Sequence, residues 1–321
     1  MASLLAAPRE DSTARAHPVD NGVEIASSFA NRVNSYLELT KPRITCFILM
    51  STAIGFLCGT HLGTANGNTW SWISLFHTLM GTALIASGTA ALNQWYERLA
   101  DAKMARTKAR PIPSGRVSSI HAAQFGVFLS IAGFLELWLG ANLLTALLGL
   151  FTLASYLFIY TPMKQRSPSS TTIGAIPGAM PPLIGYAAAS GTLTWEAAIL
   201  YGILFLWQFP HFYAIAWMYR DDYAKAGIRM LPVVEPDCDS TARRIVLFSI
   251  ALFPISLLPT FTSMAGKYYL FGAIALGLYF LYAGARVMMD RTLPRARQVL
   301  LASVVYLPLL YGLLVLDGTR Y

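Results

Sequence analysis

Long apolar stretches separated by short polar segments run through most of the chain. Stretches such as Ile44 to Cys58, Ala141 to Tyr160 and Ile245 to Thr260 contain no Asp, Glu, Lys or Arg. Apolar runs of about 20 residues are typical of transmembrane helices. The pattern predicts an all-α polytopic integral membrane protein with about nine spans, at residues 44–61, 72–92, 118–137, 141–160, 172–190, 197–217, 245–263, 268–286 and 299–316.

The amino-acid composition favours the same class of protein. Charged residues make up 12% of the 321 residues, whereas soluble domains average about 25%. The formal net charge of +8 would suit a nucleic-acid partner, but the basic residues lie in short loops between apolar segments and not on one soluble face. Membrane topology therefore explains the charge, and no nucleic acid is expected as a partner.

The distribution of basic residues predicts the orientation in the membrane. If the N-terminus lies inside, all of the 24 Lys and Arg residues except Lys267 and Arg320 fall on the inner side, as the positive-inside rule requires. Residues 1–35 lack a signal-peptide pattern and are interpreted as a flexible cytoplasmic tail before a single membrane domain at residues 36–317. Nine spans place the C-terminus outside. Function is expected at the inner face, where two long loops hold most of the acids beyond the tail.

The loop after the second span combines acids with cations. Asn93, Glu97 and Asp101 are four residues apart, so they share one face if the helix continues. One amide and two carboxylates in this arrangement suit Mg²⁺, which also binds water and substrate phosphates. Arg106 and Arg110 follow in the loop and could hold the same phosphates by paired hydrogen bonds. The alternative is a juxtamembrane loop whose cations only set topology and whose acids pair with them.

A second acidic loop follows the sixth span at the same predicted depth. Its adjacent carboxylates, Asp221 and Asp222, could hold metal opposite the first loop. A diphosphate between two such loops becomes a good leaving group, because cations neutralise the charge that develops on it. Lys164, at the inner end of the fourth span, could reach the phosphate and Tyr160 could steady it, although interfacial Tyr and Lys are also ordinary membrane anchors.

These motifs together resemble the UbiA superfamily of intramembrane prenyltransferases. The matching pattern is Asn93-x3-Glu97-x3-Asp101-x4-Arg106-Thr-x2-Arg110-Pro, with Tyr160-x3-Lys164 and the second acidic loop. Further segments are similar to the members that farnesylate heme: Leu39-Thr-Lys-Pro-Arg43, Asn93-Gln-Trp-Tyr-Glu-Arg98, Pro210-His211-Phe212 and Asp221-Asp-Tyr-x-Lys-Ala-Gly227 with Met230-Leu-Pro232. The chain departs from the superfamily at Leu99, Ala100 and Tyr219, where many members have further acids.

The resemblance implies a UbiA-like bundle in the bacterial cytoplasmic membrane, with Mg²⁺ as cofactor. Farnesyl diphosphate would ionise and a vinyl group of heme b would attack the cation. Three sets of residues are implied: Asp101, Lys164 and Tyr160 for catalysis; Asn93, Arg106, Arg110, Lys164, Lys41 and Arg43 for diphosphate; and Asn93, Glu97, Asp101, Asp221 and Asp222 for metal. The implied partners are the lipid bilayer, both substrates, and a heme A synthase or oxidase-assembly protein.

His211 is the candidate for contact with the heme acceptor, because neutral imidazole is a common axial ligand of heme iron. The alternative is a helix histidine hydrogen-bonded among its neighbours. Two other functions also stay open. One is a UbiA-type prenyltransferase of a quinone-precursor aromatic acid. The other is a transporter or heme carrier, whose polar residues would lie near the bilayer midplane beside broken helices.

Overall fold

Helices make up the whole of the regular structure in the part of the chain that is described. The computed structural model describes residues 21–62 and 71–318. The helices are α1 (Asn21–Leu39), α2 (Pro42–Leu62), α3 (Trp72–Asp101), α4 (Ser119–Gly140), α5 (Leu143–Ala154), a π-helical segment (Ser155–Tyr160), α6 (Thr161–Met163), α7 (Ser170–Gly178), α8 (Pro181–Ser190), α9 (Trp195–Met218), α10 (Arg220–Lys225), α11 (Leu231–Val234), α12 (Asp239–Phe261), α13 (Lys267–Met289) and α14 (Leu293–Gly318).

Eight of the helical segments in the described residues are long and apolar enough to cross a membrane. They correspond to every predicted span except the fifth, and confirm the prediction of a polytopic α-helical membrane protein. At the fifth span the chain forms two short helices, α7 and α8. Proline lacks a backbone N–H and clashes with the preceding turn, so Pro177, Pro181 and Pro182 break this span.

The segment predicted as a flexible tail contains helix α1, which differs from the expectation for residues 21–35. The end of this helix is bound to the bundle: Gln94 Nε2 donates to the Leu39 carbonyl at 2.9 Å, and Arg116 pairs with Glu38 at 2.7 Å. Tyr36 packs edge-to-face on Phe125 at 5.0 Å. Apolar contact with α4 thus orders the end of α1, whereas residues 1–20 of the predicted tail lie outside the described residues.

Small residues allow the helices to pack closely. In lipid, helix association depends on van der Waals contact and is favoured by small side chains at the interface. On α2, Gly55 and Gly59 face the backbone of α8 at Pro182 and Tyr186, and on α8 Gly185 faces the Thr52 carbonyl of α2. Helix α3 packs along α4, and α9, α12, α13 and α14 form a four-helix group.

We expect Gly185→Ala to lower the thermal unfolding temperature in detergent. The added Cβ would lie 1.8 Å from the Thr52 carbonyl oxygen, so α2 and α8 must move apart, at a cost of about 1–3 kcal/mol. Gly312→Ala is the matched control, because a Cβ there meets nothing within 4 Å and alanine favours the helix. An unfolding temperature for Gly185→Ala equal to that of Gly312→Ala would contradict this packing.

Most of the charged side chains lie together at one end of the bundle, which we call the charged face. It contains the α1–α2 turn, the loop after α3, the end of α6, and α10. At the opposite end of α3, His77 Nδ1 lies 2.7 Å from Glu136 Oε1 on α4. That pair joins two neighbouring helices far along α3 from the predicted site.

Candidate active site at the charged face

Asp101, the last residue of α3, is the most deeply buried acid of the charged face. It is 1% exposed, and Arg110 Nη1 donates to its Oδ2 at 2.7 Å. Its backbone carbonyl accepts from Thr107 Oγ1 at 2.8 Å, which folds the loop back over the helix end. A buried carboxylate is stable only when it is paired, so Arg110 and Asp101 hold each other in place.

Glu97, one turn before Asp101, forms a second buried ion pair. Lys164 Nζ donates to Glu97 Oε1 at 2.8 Å, and both side chains are close to 90% buried. Burial lowers the pKa of Lys164, but the Glu97 carboxylate raises it well above its ordinary value, so Lys164 is cationic. The Lys164 ammonium also lies 4.6 Å from the centre of the Tyr160 ring, a distance that permits a cation–π contact.

Lys41 brings a third cation to the same place. Its Nζ donates to Asn93 Oδ1 at 3.2 Å, and Asn93 is almost fully buried. Burial, together with the nearby Arg110 guanidinium, lowers the pKa of Lys41 to about 7. Lys41 also has a φ of +49°, an uncommon conformation for a residue with a Cβ. This strained turn directs the lysine toward α3.

The second loop lies against the first, as the matched depth of the two spans predicts. Both carboxylate oxygens of Asp222 accept from the backbone N–H groups of Ala105 and Arg106, at 3.4 Å each. Arg106 Nη2 donates to the Tyr223 hydroxyl at 3.2 Å, and its guanidinium lies 4.7 Å from the centre of the Tyr219 ring. The acid of one loop therefore fixes the backbone of the other.

Asp221 points away from this junction. Its side chain is 88% exposed, and its nearest cation is Arg220 at 3.6 Å. Arg43, also assigned to diphosphate from the sequence, is exposed at the start of α2. It lines a groove of about 420 Å³ together with Glu38, Lys41, Gln94 and Arg110. The structure thus brings Lys41, Asn93, Glu97, Asp101, Arg110 and Lys164 into one cluster, with Arg43 at its edge and Asp221 outside it.

The contacts of Asp101 and Glu97 bear on their predicted role as metal ligands. Asp101 Oδ1 is buried and has no hydrogen-bond partner. Buried polar atoms are normally paired, so a bound ligand would explain this oxygen. Glu97 pairs with Lys164, and the other Asp101 oxygen pairs with Arg110. No three His, Cys, Asp or Glu side chains converge within the described ranges. The free Asp101 oxygen fits a hard cation, Asn93 lies about two turns earlier on α3, and the role of metal ligand stays a prediction.

The π-helical segment before Lys164 is a feature that the sequence did not reveal. Thr161 Oγ1 donates to the Tyr156 carbonyl at 2.8 Å and accepts from Asn93 Nδ2 at 3.3 Å. Gly174 on α7 leaves room for the ring of Tyr160, because a Cβ there would lie 2.5 Å from it. π-Helical turns are frequent at functional sites, and this one places Thr161 and Lys164 toward α3 and the ring of Tyr160 against α7.

His211 lies on α9 at some distance along the chain from these acids. Its Nδ1 is 2.8 Å from Ser303 Oγ on α14, and its ring stacks on Trp207 with centroids 4.7 Å apart. Trp207 Nε1 in turn donates to the Ser303 carbonyl at 2.8 Å. The ring is therefore fixed through Nδ1 and one face, and none of the described residues pairs with Nε2.

Comparisons with known proteins identify the family of the chain. Residues 49–307 match the model of the UbiA prenyltransferase family. The chain is 62% identical over 292 residues to the protoheme IX farnesyltransferase of Solibacter usitatus (strain Ellin6076), covering 89% of this chain and 99% of that one. It is 46% identical over 297 residues to the protein of the same name from Koribacter versatilis (strain Ellin345), covering 90% and 95%.

Solved structures share the fold at low sequence identity. A digeranylgeranylglyceryl phosphate synthase aligns with a TM-score of 0.75 at 16% identity, covering 90% of this chain and 99% of that one. A UbiA homolog from Archaeoglobus fulgidus bound to GPP and Mg²⁺ aligns with a TM-score of 0.57 at 15% identity, covering 87% and 99%. The family match extends over most of the chain and includes α3, the π-helical segment and α9. The chain therefore belongs to the UbiA prenyltransferase family.

Proposed function

We propose that this prenyltransferase transfers the farnesyl group of farnesyl diphosphate to a vinyl group of heme b, forming heme O and releasing diphosphate. The observation that carries the proposal is the 62% identity, across 89% of the chain, to a protein named protoheme IX farnesyltransferase. The charged face supports the donor half of the reaction, because it gathers three cations around buried oxygen atoms.

The first step is ionisation of the allylic diphosphate. The bond between farnesyl C1 and the diphosphate oxygen breaks, and its electron pair leaves with the diphosphate. Lys41, Arg110 and Lys164 lie where they can hold that charge, and each is partly withdrawn from water. Preorganised cations in a poorly hydrated site stabilise developing charge more strongly than water does.

We assign the Mg²⁺ site to Asn93, Glu97 and Asp101 on α3. In the second loop, Asp222 holds the backbone of the first loop and Asp221 is exposed outside the cluster. When bound, the cation would supply Lewis-acid stabilisation of the leaving diphosphate. The free Oδ1 of Asp101 supports its role in this site. The Archaeoglobus fulgidus homolog is described as bound to GPP and Mg²⁺, which supports a metal requirement within the family.

The second step joins the two substrates. The electrons of the heme vinyl group form a carbon–carbon bond to farnesyl C1, which leaves a cation on the vinyl carbon next to the porphyrin. Water adds to that carbon and loses a proton, giving the hydroxyethylfarnesyl side chain. We assign stabilisation of the allylic cation to the faces of Tyr156 and Tyr160, whose rings lie 4.8 Å apart beside Lys164, because aromatic faces attract cations.

Donor binding should weaken as the pH rises through neutrality. With a pKa of about 7, Lys41 is cationic below that pH and neutral above it, so its attraction for the diphosphate is lost on the alkaline side. We expect the KM for farnesyl diphosphate to rise several-fold between pH 6 and pH 8, and the KM of Lys41→Arg to change less, because arginine stays protonated. A KM profile for Lys41→Arg that matches the wild type would contradict this role of Lys41.

His211 is proposed to orient the heme. We expect His211→Ala to lower farnesylation of heme roughly tenfold or more, in line with the loss of a positioning ligand, and to leave the KM for farnesyl diphosphate unchanged. If Nε2 ligates iron, the Soret band of bound heme shifts as well. His121→Ala is the control, because His121 is exposed at the start of α4. A normal Soret band together with normal turnover in His211→Ala would make His211 a structural residue.

We place the charged face on the cytoplasmic side of the bacterial inner membrane. The location of the cations supports this orientation, because cytoplasmic loops are enriched in Lys and Arg. The diphosphate group of farnesyl diphosphate is charged and soluble in water, so a site at the cytoplasmic face could bind this group from the cytoplasm. The product would then pass to an enzyme that oxidises heme O within the membrane.

The acceptor can be tested by supplying alternative substrates to the purified protein. Diphosphate release from farnesyl diphosphate is followed with heme b, with an aromatic acid such as 4-hydroxybenzoate, and with neither. We expect release that depends on heme b. Release that depends on the aromatic acid instead would favour an aromatic prenyltransferase, and substrate binding without release under any condition would favour a carrier.

A further inference from the structure

A groove of about 560 Å³ opens on the charged face between the end of α9 and the first turns of α14. Met218 of α9 and Leu293 and Leu301 of α14 form its apolar walls. Both leucines are more than half exposed. Arg295, Arg297 and Gln298 supply its polar lining. None of these residues belongs to the diphosphate cluster, so the groove is separate from the site proposed for the first step of the reaction.

The two arginines of the groove differ in their contacts. Arg295 is held in place: its Nε and Nη2 donate to Asp290 Oδ2 at 3.3 and 3.2 Å, and its Nη1 donates to Gln298 Oε1 at 3.1 Å. Arg297 is exposed and has no ion pair with any of the described residues. The groove thus combines apolar walls with one fixed and one available guanidinium, a combination suited to an apolar ligand that carries carboxylates.

The groove is formed by α9 and α14, the same two helices that carry His211 and Ser303, although neither of these residues lines it. The contact between His211 and Ser303 joins α9 to α14. From that contact, Arg297 lies six residues back along α14 and Met218 seven residues along α9, which corresponds to about 9 and 10 Å of helix. The axial distance between this contact and the groove is therefore one that a porphyrin can bridge.

We propose that this groove binds the two propionate carboxylates of the heme acceptor, with Arg297 as their principal partner and Met218, Leu293 and Leu301 against the macrocycle. The inference rests on the proposed function and adds a binding site to it. Propionates and vinyl groups occupy opposite edges of the porphyrin. Carboxylates held at the rim would therefore direct the vinyl edge toward the interior of the bundle, past His211.

The test measures affinity for heme b and for its dimethyl ester, which lacks the carboxylate charges, by Soret titration of the full-length protein in a zwitterionic detergent. The variants are Arg297→Ala and Arg297→Lys. Arg291→Ala is the matched control, since Arg291 is a nearby arginine that pairs with Asp239 at 2.6 Å and does not line the groove. Farnesylation of heme b by the wild type is measured in the same preparation.

We expect Arg297→Ala to weaken heme b binding about tenfold, the loss that follows from removing a hydrogen-bonded charge. It should bind the acid and the ester equally, whereas the wild type and Arg291→Ala should prefer the acid, and Arg297→Lys should fall between. Equal affinities of wild type and Arg297→Ala for heme b, or an equal loss in Arg291→Ala, would overturn the proposal.

The same measurements separate this inference from the proposed function. If the wild type farnesylates heme but Arg297→Ala binds it normally, the groove is wrong and the reaction stands. If the wild type neither binds nor farnesylates heme, both proposals fail. An Arg297 effect that appears only when anionic lipid is added, and is the same for acid and ester, would assign the groove to a lipid headgroup instead.

Discussion

Replacing Asp101 with asparagine should reduce turnover by about a hundredfold to a thousandfold, the order of effect seen when one preorganised electrostatic group is removed. Asp101 is 1% exposed and binds Arg110 through one oxygen while the other has no partner. Asparagine keeps the size and one acceptor oxygen but removes the charge. Arg110 then loses the carboxylate that orients it, and the proposed Mg²⁺ site loses an anionic ligand. The measurement is the rate of heme farnesylation at saturating substrates.

The control for Asp101→Asn is the same substitution at Asp317. Asp317 is also buried, at 3% exposure, but it accepts from the backbone N–H of Tyr269 at the start of α13, away from the charged face. We expect Asp317→Asn to affect thermal stability and to leave turnover per folded molecule unchanged. Near-normal turnover of Asp101→Asn at saturating Mg²⁺ would remove Asp101 from the site.

Replacing Lys164 with methionine should lower the thermal stability of the protein and abolish farnesyl transfer. The substitution leaves the Glu97 carboxylate buried without its partner at 2.8 Å. Removal of one partner of a buried ion pair costs about 3–5 kcal/mol. Lys164 also lies beside Tyr160, where we place the phosphate and the allylic cation, so its loss removes charge from the reaction itself. Thermal unfolding and turnover are measured on the same preparation.

The double variant Glu97→Gln with Lys164→Met separates these two effects. Without either charge, the pair no longer leaves an unpaired ion in the bundle, and we expect most of the stability to return. Turnover should stay near the level of Lys164→Met, because the double variant restores neither the cation that binds the diphosphate nor the proposed metal ligand Glu97. Recovery of turnover together with stability would show that the pair serves the fold alone.

The sequence predicted the helices and the depth of the site, because both follow from local pattern. Apolar runs identified eight long helices, and the parity of the spans placed Asp101 and Asp222 at the same end of the bundle. The prolines of the fifth span indicated a break, but they did not show that the span forms two separate helices. Helix α1 was missed because its end is ordered by contacts such as Gln94 with Leu39, between residues distant in sequence.

The partners of the site residues could not be predicted, because they depend on how distant segments meet. Lys164 and Glu97 are 67 residues apart, and His211 and Ser303 are 92 residues apart. The prediction that Asp222 binds metal did not foresee its contacts with the backbone of the first loop. Thr161 carried no sequence signal, since only the π-helical segment turns it toward Asn93.

Mass spectrometry of the product shows whether the farnesyl group is transferred to heme and where the new oxygen comes from. Purified protein is incubated with heme b, farnesyl diphosphate and Mg²⁺ in ordinary water and in water enriched in heavy oxygen, with Asp101→Asn as the inactive control. We expect a heme that has gained one farnesyl group and one hydroxyl group, with the heavy oxygen incorporated in the enriched sample. A wild-type reaction that releases diphosphate and leaves heme b unmodified, or a farnesylated heme without oxygen from water, would contradict it.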